Sequence, residues 1–161
     1  MRILKKISDL IATITTYLSG FILFIVAIVL FAQVFMRFVL NSGFSWSEEF
    51  ARYAIIWSVM LIANVLIKDN ELITVDFLDA LWPKKMIRFR DAFYQLVILF
   101  LLIILIKEGW GQAVNGWKSS MVSMNIKWFY AYFAIPMGTI LMLYQYFYRW
   151  IRNFVGEAKL E

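Results

Sequence analysis

Charged residues punctuate this chain at long intervals, and the intervals predict its elements. Leu10 to Met36 is a run of 27 residues without a charge, Tyr53 to Ile67 and Ala92 to Ile106 are runs of 15 each, and Trp128 to Tyr148 is a run of 21. A helix needs about 20 mostly apolar residues to cross a bilayer. The first and last runs suffice unaided, and the two shorter ones suffice when extended to their flanks, as Ser47–Ile67 and Arg88–Trp110. The pattern predicts an all-α integral membrane protein with four transmembrane helices, over about 10–38, 47–67, 88–110 and 128–150, in a single membrane domain 1–161. The first run far exceeds the 7–15 apolar residues of a cleavable signal peptide. As a helix it would be about 40 Å long against a hydrocarbon core of ~30 Å, so it must tilt or lay its early turns in the interface.

Lys and Arg set the expected orientation. Eleven of the 16 fall on the side of the chain ends and the 69–87 connection, and five (Arg37, Arg52, Lys107, Lys118, Lys127) on the other. Cytoplasmic segments carry the excess of basic residues, so both termini are expected inside. In the cytoplasmic connection, Ile73, Phe77, Leu81 and Trp82 share one helical face, Asp76 and Asp79 the other, and Pro83 ends the pattern. This predicts a short amphipathic helix in the inner interface between helices 2 and 3. The outer connection, 111–127, reads as a loop from Gly111, Asn115, Gly116 and its serines, with Trp110, Trp117 and Trp128 as headgroup-level anchors.

Composition then narrows the function. Hydrophobic residues are 63% of the chain and charged ones 17%, too apolar a balance for so small a soluble domain. With no Cys and no His, thiol chemistry and the commonest general base and metal ligand are excluded, so no enzyme activity, cofactor or metal site is expected. The net charge of +5 is scattered along the chain rather than gathered in a stripe, which argues against nucleic acid.

The densest polar cluster opens the second helix. Ser45 and Glu48 fit a capping box, Glu48 and Arg52 are spaced for an i, i+4 ion pair, and Arg37 at the end of the first helix is expected to reach Glu48 or Glu49. An interfacial cap with structural ion pairs is the favoured reading over a proton or cation site, because the acids sit at a helix start. Gln33 and Asn64 are expected to make interhelical hydrogen bonds. Small residues (Ala51, Ala54 and Ser58 on the second helix; Ala131, Ala134 and Gly138 on the fourth) mark contact faces, and Pro136 should kink the fourth helix. No Asp, Glu or Lys lies in the middle of a predicted span. The alternative of a self-sufficient small four-helix transporter would call for one.

The run Arg37, Trp46, Glu48-Glu49, Arg52, Trp57, the run Ile73-Thr74-Val75-Asp76-Phe77-Leu78 followed by Pro83, and the run Trp128 to Gly138 together resemble the small membrane subunit of tripartite ATP-independent periplasmic (TRAP) transporters. The resemblance covers nearly the whole chain in order. It departs at Leu72, where the family often has His, and at Lys127, where it often has Pro. The resemblance implies four spans with both termini inside, in a bacterial inner membrane. It implies a non-catalytic scaffold for a large TRAP membrane subunit that holds the substrate and sodium sites. It also implies a periplasmic substrate-binding protein that delivers a carboxylate solute and docks on the outer face. By position, Arg37, Trp46, Glu48, Glu49 and Arg52 fall in the family's outer-side motif.

Overall fold

The structure, a computed structural model, describes the backbone of residues 2–69 and 84–157 and the side chains of residues 3–69 and 93–151. Helices α1 (Arg2–Val39), α2 (Ser47–Asp69) and α3 (Lys84–Gly116) are followed by a single turn, α4 (Phe129–Tyr132), and by α5 (Ala134–Glu157). The expected amphipathic helix, with Asp76, lies outside the described residues.

Three of these helices, α1, α2 and α3, are long and apolar enough to cross a membrane. The protein is therefore a multi-pass membrane protein. At 38 residues, α1 is about 57 Å long, so its first turns extend past a ~30 Å core. The α3 helix runs on to Gly116, where the outer connection was expected to begin at residue 111. Glycine's helix penalty is about 1 kcal/mol per residue, and packing overrides it here. A Cβ on Gly116 would stand 2.8 Å from the Phe129 nitrogen, and one on Gly109 would stand 2.8 Å from Ile135 Cγ2. These glycines let the end of α3 lie against the 128–136 segment. They are contact positions, not loop punctuation.

The fourth charge-free run is split at Phe133, between α4 and α5. Pro136 is the cause. It has no N–H for the Tyr132 carbonyl four residues before it, and its ring crowds that turn. The kink expected at Pro136 is thus expressed as an interruption one turn earlier.

Polar contacts fix the helix directions. Asp9 meets Lys68, Thr15 meets Asn64, Ser19 meets Ser58 and Gln33 meets Ser47, so α1 and α2 are antiparallel. Trp57 reaches Tyr130 and Arg149 reaches Ile67, so α2 and α5 run parallel. Tyr146 bonds Gln95 while Gly109 lies on Ile135, so α3 and α5 are antiparallel. The long helices alternate in direction, and the start of α1 and the end of α5 share one end of the molecule.

Side by side the order is α1, α2, α5, α3. The row is bent, because α1 also touches α5 near the termini through Ser8 and Gln145, but α1 and α3 remain at its edges. Its inner member α2 has 39% of its apolar window buried, whereas α1 and α3 at the edges have 11% and 17%. Phe21, Phe24, Phe31, Phe93 and Phe100 are accordingly exposed. With lipid around them, such side chains carry no hydrophobic penalty, and association between helices relies on packing and hydrogen bonds.

Candidate functional site

The cluster singled out in the sequence lies at the end of the molecule opposite the termini. The α1 helix closes there through Asn41, whose left-handed φ of 49° folds the Ser42 N–H back onto the Met36 carbonyl at 3.2 Å. Asn is one of the few residues that enters this conformation readily. The short link that follows brings the start of α2 beside the end of α1.

The α2 helix opens at Ser47, the first residue of its expected span. Ser47 is fully buried; its hydroxyl donates to the Phe44 carbonyl at 2.6 Å and also contacts Gln33 Oε1. Gln33 Nε2 donates to Glu48 Oε1 at 3.5 Å. Gln33 therefore makes the interhelical contact expected of it, with Ser47 as its main partner. Trp46 stacks obliquely on Phe44 and edge-on against Phe50, at 5.7 and 6.1 Å between centroids.

The expected charge pairings do not form. There is no Ser45–Glu48 capping box, and neither Arg37 nor Arg52 is ion-paired with Glu48 or Glu49; among the described residues the ion pair is Lys68 with Asp9, at 2.6 Å. Two causes account for this. Glu49 turns to a stronger set of donors: its Oε2 accepts the backbone N–H groups of Ser123 and Met124 at 3.1 and 3.3 Å, charge-assisted bonds of the kind that outweigh a surface ion pair. Arg37 and Glu48 line the same open hollow, of about 730 Å³, together with Gln33, Asn41, Phe44 and Ser45, and exposed groups there gain little by closing on one another.

Glu49 thereby anchors the 117–128 loop to α2. The loop turns through Asn125, with φ 52°, and closes with Met121 N–H on the Ile126 carbonyl at 2.8 Å. The loop tryptophans knit it to the turn that follows. Trp128 stacks on Tyr132 and meets Tyr53 edge-on at 5.3 Å, and Trp117 meets Phe129 at 5.0 Å. Ala131 is buried in the cluster of Tyr53 and Met121. Trp57 Nε1–H donates to the Tyr130 carbonyl at 2.9 Å, just before the Phe133 interruption.

The small-residue positions are where helices meet most closely. Ala131 and Ala134 are each 1% exposed. A Cβ on Gly138 would stand 2.7 Å from Met60 Cβ and 2.8 Å from its carbonyl oxygen, so α5 and α2 approach there to backbone contact. Glu49, Ala131 and the loop are brought together; Trp46 packs with Phe44 and Phe50, Arg37 and Glu48 face a separate hollow, Arg52 is exposed, and Asp76 is outside the described residues.

The sequence reading missed the polar seam at the other end. Ser8 donates to Gln145 Oε1 at 2.5 Å while Gln145 Nε2 returns a bond to the Ser8 carbonyl at 3.0 Å. Ser19 and Ser58 exchange hydroxyl-to-carbonyl bonds at 3.0 and 3.1 Å, and Asn64 Nδ2 donates to Thr15 at 3.1 Å, the interhelical bond expected of Asn64. A signal for this seam exists in the sequence: Ser8, Ala12, Thr15 and Ser19 recur at the spacing of one face of α1.

Comparison with known proteins bears on the same residues. The family model described as tripartite ATP-independent periplasmic transporters, DctQ component, matches residues 25–156, which include both the Arg37–Arg52 cluster and the Trp128–Gly138 segment. The chain is also similar to the sialic acid TRAP transporter permease protein SiaT of Haemophilus influenzae (strain 86-028NP), 28% identical over 148 residues that cover 89% of this chain. It spans 24% of that relative's length.

Proposed function

Because the chain belongs to the DctQ-component family of tripartite ATP-independent periplasmic transporters, we propose that it is the small, non-catalytic membrane subunit of a sodium-coupled TRAP transporter for carboxylate solutes. In this reading it scaffolds the large transport subunit, which binds solute and sodium, in a bacterial inner membrane. The family match over 25–156 is the observation that carries the reading. Physical features support it. The buried polar side chains between α1, α2 and α5 engage one another, and no ionised group stands mid-span to serve a solute. The edge helices α1 and α3 leave broad apolar faces for a membrane partner or lipid. The SiaT relative is about four times as long, consistent with a region like this one working beside a much larger portion of a permease.

We place four spans across the bilayer, the fourth being the whole 128–150 stretch, with both termini cytoplasmic as the basic-residue count of 11 against five indicates. The end bearing Arg37, Trp46, Glu48, Glu49, Arg52 and the 117–128 loop then faces the periplasm, where the substrate-binding protein docks. Ala131, Ala134 and Gly138 hold the scaffold's own helices together.

Co-purification tests the proposal. The chain is expressed with the large membrane subunit from its own operon, and only this chain is tagged. A stable one-to-one complex is expected, transporting only when the cognate periplasmic protein and a sodium gradient are supplied. A chain that purifies alone and moves a solute unaided in liposomes would overturn the reading. Glu48 and Glu49 would then be the coupling candidates of a self-sufficient transporter.

A further inference from the structure

A groove of about 760 Å³ opens between α3 and α5 near the end of the molecule that carries the termini, lined by Gln95, Leu99, Ile140, Tyr144, Phe147 and Trp150 among others. We propose that this groove seats one acyl chain of an anionic phospholipid, whose headgroup is held at the basic end formed by the start of α3 and the end of α5. The inference needs only that these helices cross a bilayer and is independent of the transporter reading.

Size, polarity and charge agree on this occupant. The groove extends along α5 from Ile140 to Trp150, ten residues or about 15 Å of helix, which is half of a ~30 Å hydrocarbon core and so the depth of one leaflet. Its walls are almost wholly apolar, and its volume lies in the range of ligand clefts. Ile140, Phe147 and Trp150 are each half exposed or more, so the groove is open on the side where lipid lies. The polar groups cluster at one end. There Tyr146 donates to the Gln95 carbonyl at 2.8 Å, tying α3 to α5, and Trp150 stacks on Phe147 with centroids 6.2 Å apart. A Tyr and a Trp at one end of an apolar cleft are the arrangement of a membrane interface.

Beyond that end, the sequence of the first turns of α3 carries Lys84, Lys85, Arg88 and Arg90 against a single acid, Asp91, and the last turns of α5 carry Arg152 against Glu157, while Arg149 is turned to the Ile67 carbonyl of α2. Basic residues near the surface attract anionic headgroups. A partner helix filling the groove would bring a comparable apolar surface, but no negative charge to match the basic turns beyond it.

The test uses the full chain in mild detergent. Native mass spectrometry follows added dioleoyl phosphatidylglycerol and dioleoyl phosphatidylcholine on the wild type, on Leu99→Trp, which fills the groove, and on Ile28→Trp, which adds the same bulk to the exposed face of α1. Wild type and Ile28→Trp should retain one phosphatidylglycerol, preferred over phosphatidylcholine by at least about tenfold, and Leu99→Trp should lose that retention by at least about tenfold. Equal retention by a folded Leu99→Trp, or no preference between headgroups, would overturn the proposal. If Leu99→Trp does not fold, a benzophenone amino acid at Ile140, cross-linked in native membranes, decides. A phospholipid adduct supports the proposal, and a protein-sized adduct assigns the groove to a partner helix and overturns it.

Discussion

Gly138→Ala probes the closest approach between two helices. The new methyl would stand 2.7 Å from Met60 Cβ and 2.8 Å from the Met60 carbonyl oxygen, where ordinary contact begins at 3.4 Å. Relief therefore needs a separation of α2 and α5 of about 0.7 Å (3.4 less 2.7). The obstacle is Met60 backbone as well as side chain, so no rotamer change removes it. Overpacking of this kind costs about 1–3 kcal/mol. Ala is also the better helix former, by about 1 kcal/mol, so the single variant mixes two effects. Gly111→Ala separates them. It lies within α3, and a Cβ there meets nothing within 4 Å, so it should show the propensity gain alone. The measurement is denaturant unfolding in mild detergent, followed by tryptophan fluorescence. Gly138→Ala should fall below Gly111→Ala by about 1–3 kcal/mol. If Gly138→Ala proved as stable as Gly111→Ala, the close α2–α5 contact would be refuted.

Other expectations follow from the seam, the loop and the connection. Ser58→Ala removes both hydroxyl contacts with Ser19; a double-mutant cycle with Ser19→Ala should give a coupling of about 0.6 kcal/mol, at most about 1.7, and zero coupling would remove the seam as a cause of α1–α2 pairing. Glu49→Ala deprives Ser123 and Met124 of their acceptor, so hydrogen exchange at those two amides should quicken from a few-fold to about tenfold while amides of α1 stay unchanged. The result to reject this would be unaltered exchange in the loop. A spin label at position 77 should report depth at the inner interface, as the amphipathic pattern of residues 72–82 predicts; a label in bulk water would dismiss that helix.

Much of the architecture was legible in the chain because membrane helices declare themselves locally. A bilayer leaves no backbone polar group unsatisfied, so long charge-free runs become helices wherever they occur. The helical cores of α1, α2 and α3, the interhelical roles of Gln33 and Asn64 and the disturbance at Pro136 all follow from residues near one another in sequence. The candidate cluster was legible as a location and not as a set of bonds. Charge spacing along α2 suggested Arg52 as a partner of Glu48, and its place at the end of α1 suggested Arg37 as a partner of Glu48 or Glu49, yet Glu49 found its donors 74 and 75 residues away.

What the sequence determined alone was the all-helical class, the exclusion of thiol and imidazole chemistry, and the polar end of each helix, since these depend on composition and local periodicity. Tertiary structure decided three things. It set the order α1, α2, α5, α3, which leaves the first and third helices at the edges. It made Gly109 and Gly116 contact points and gave Gly138 its partner, Met60. It also bound Ser8 to Gln145 across 137 residues. The reason is physical. Among helices surrounded by lipid, apolar surface does not distinguish one neighbour from another, so the choice falls to close backbone approach and paired polar groups, and those exist only once distant segments have met.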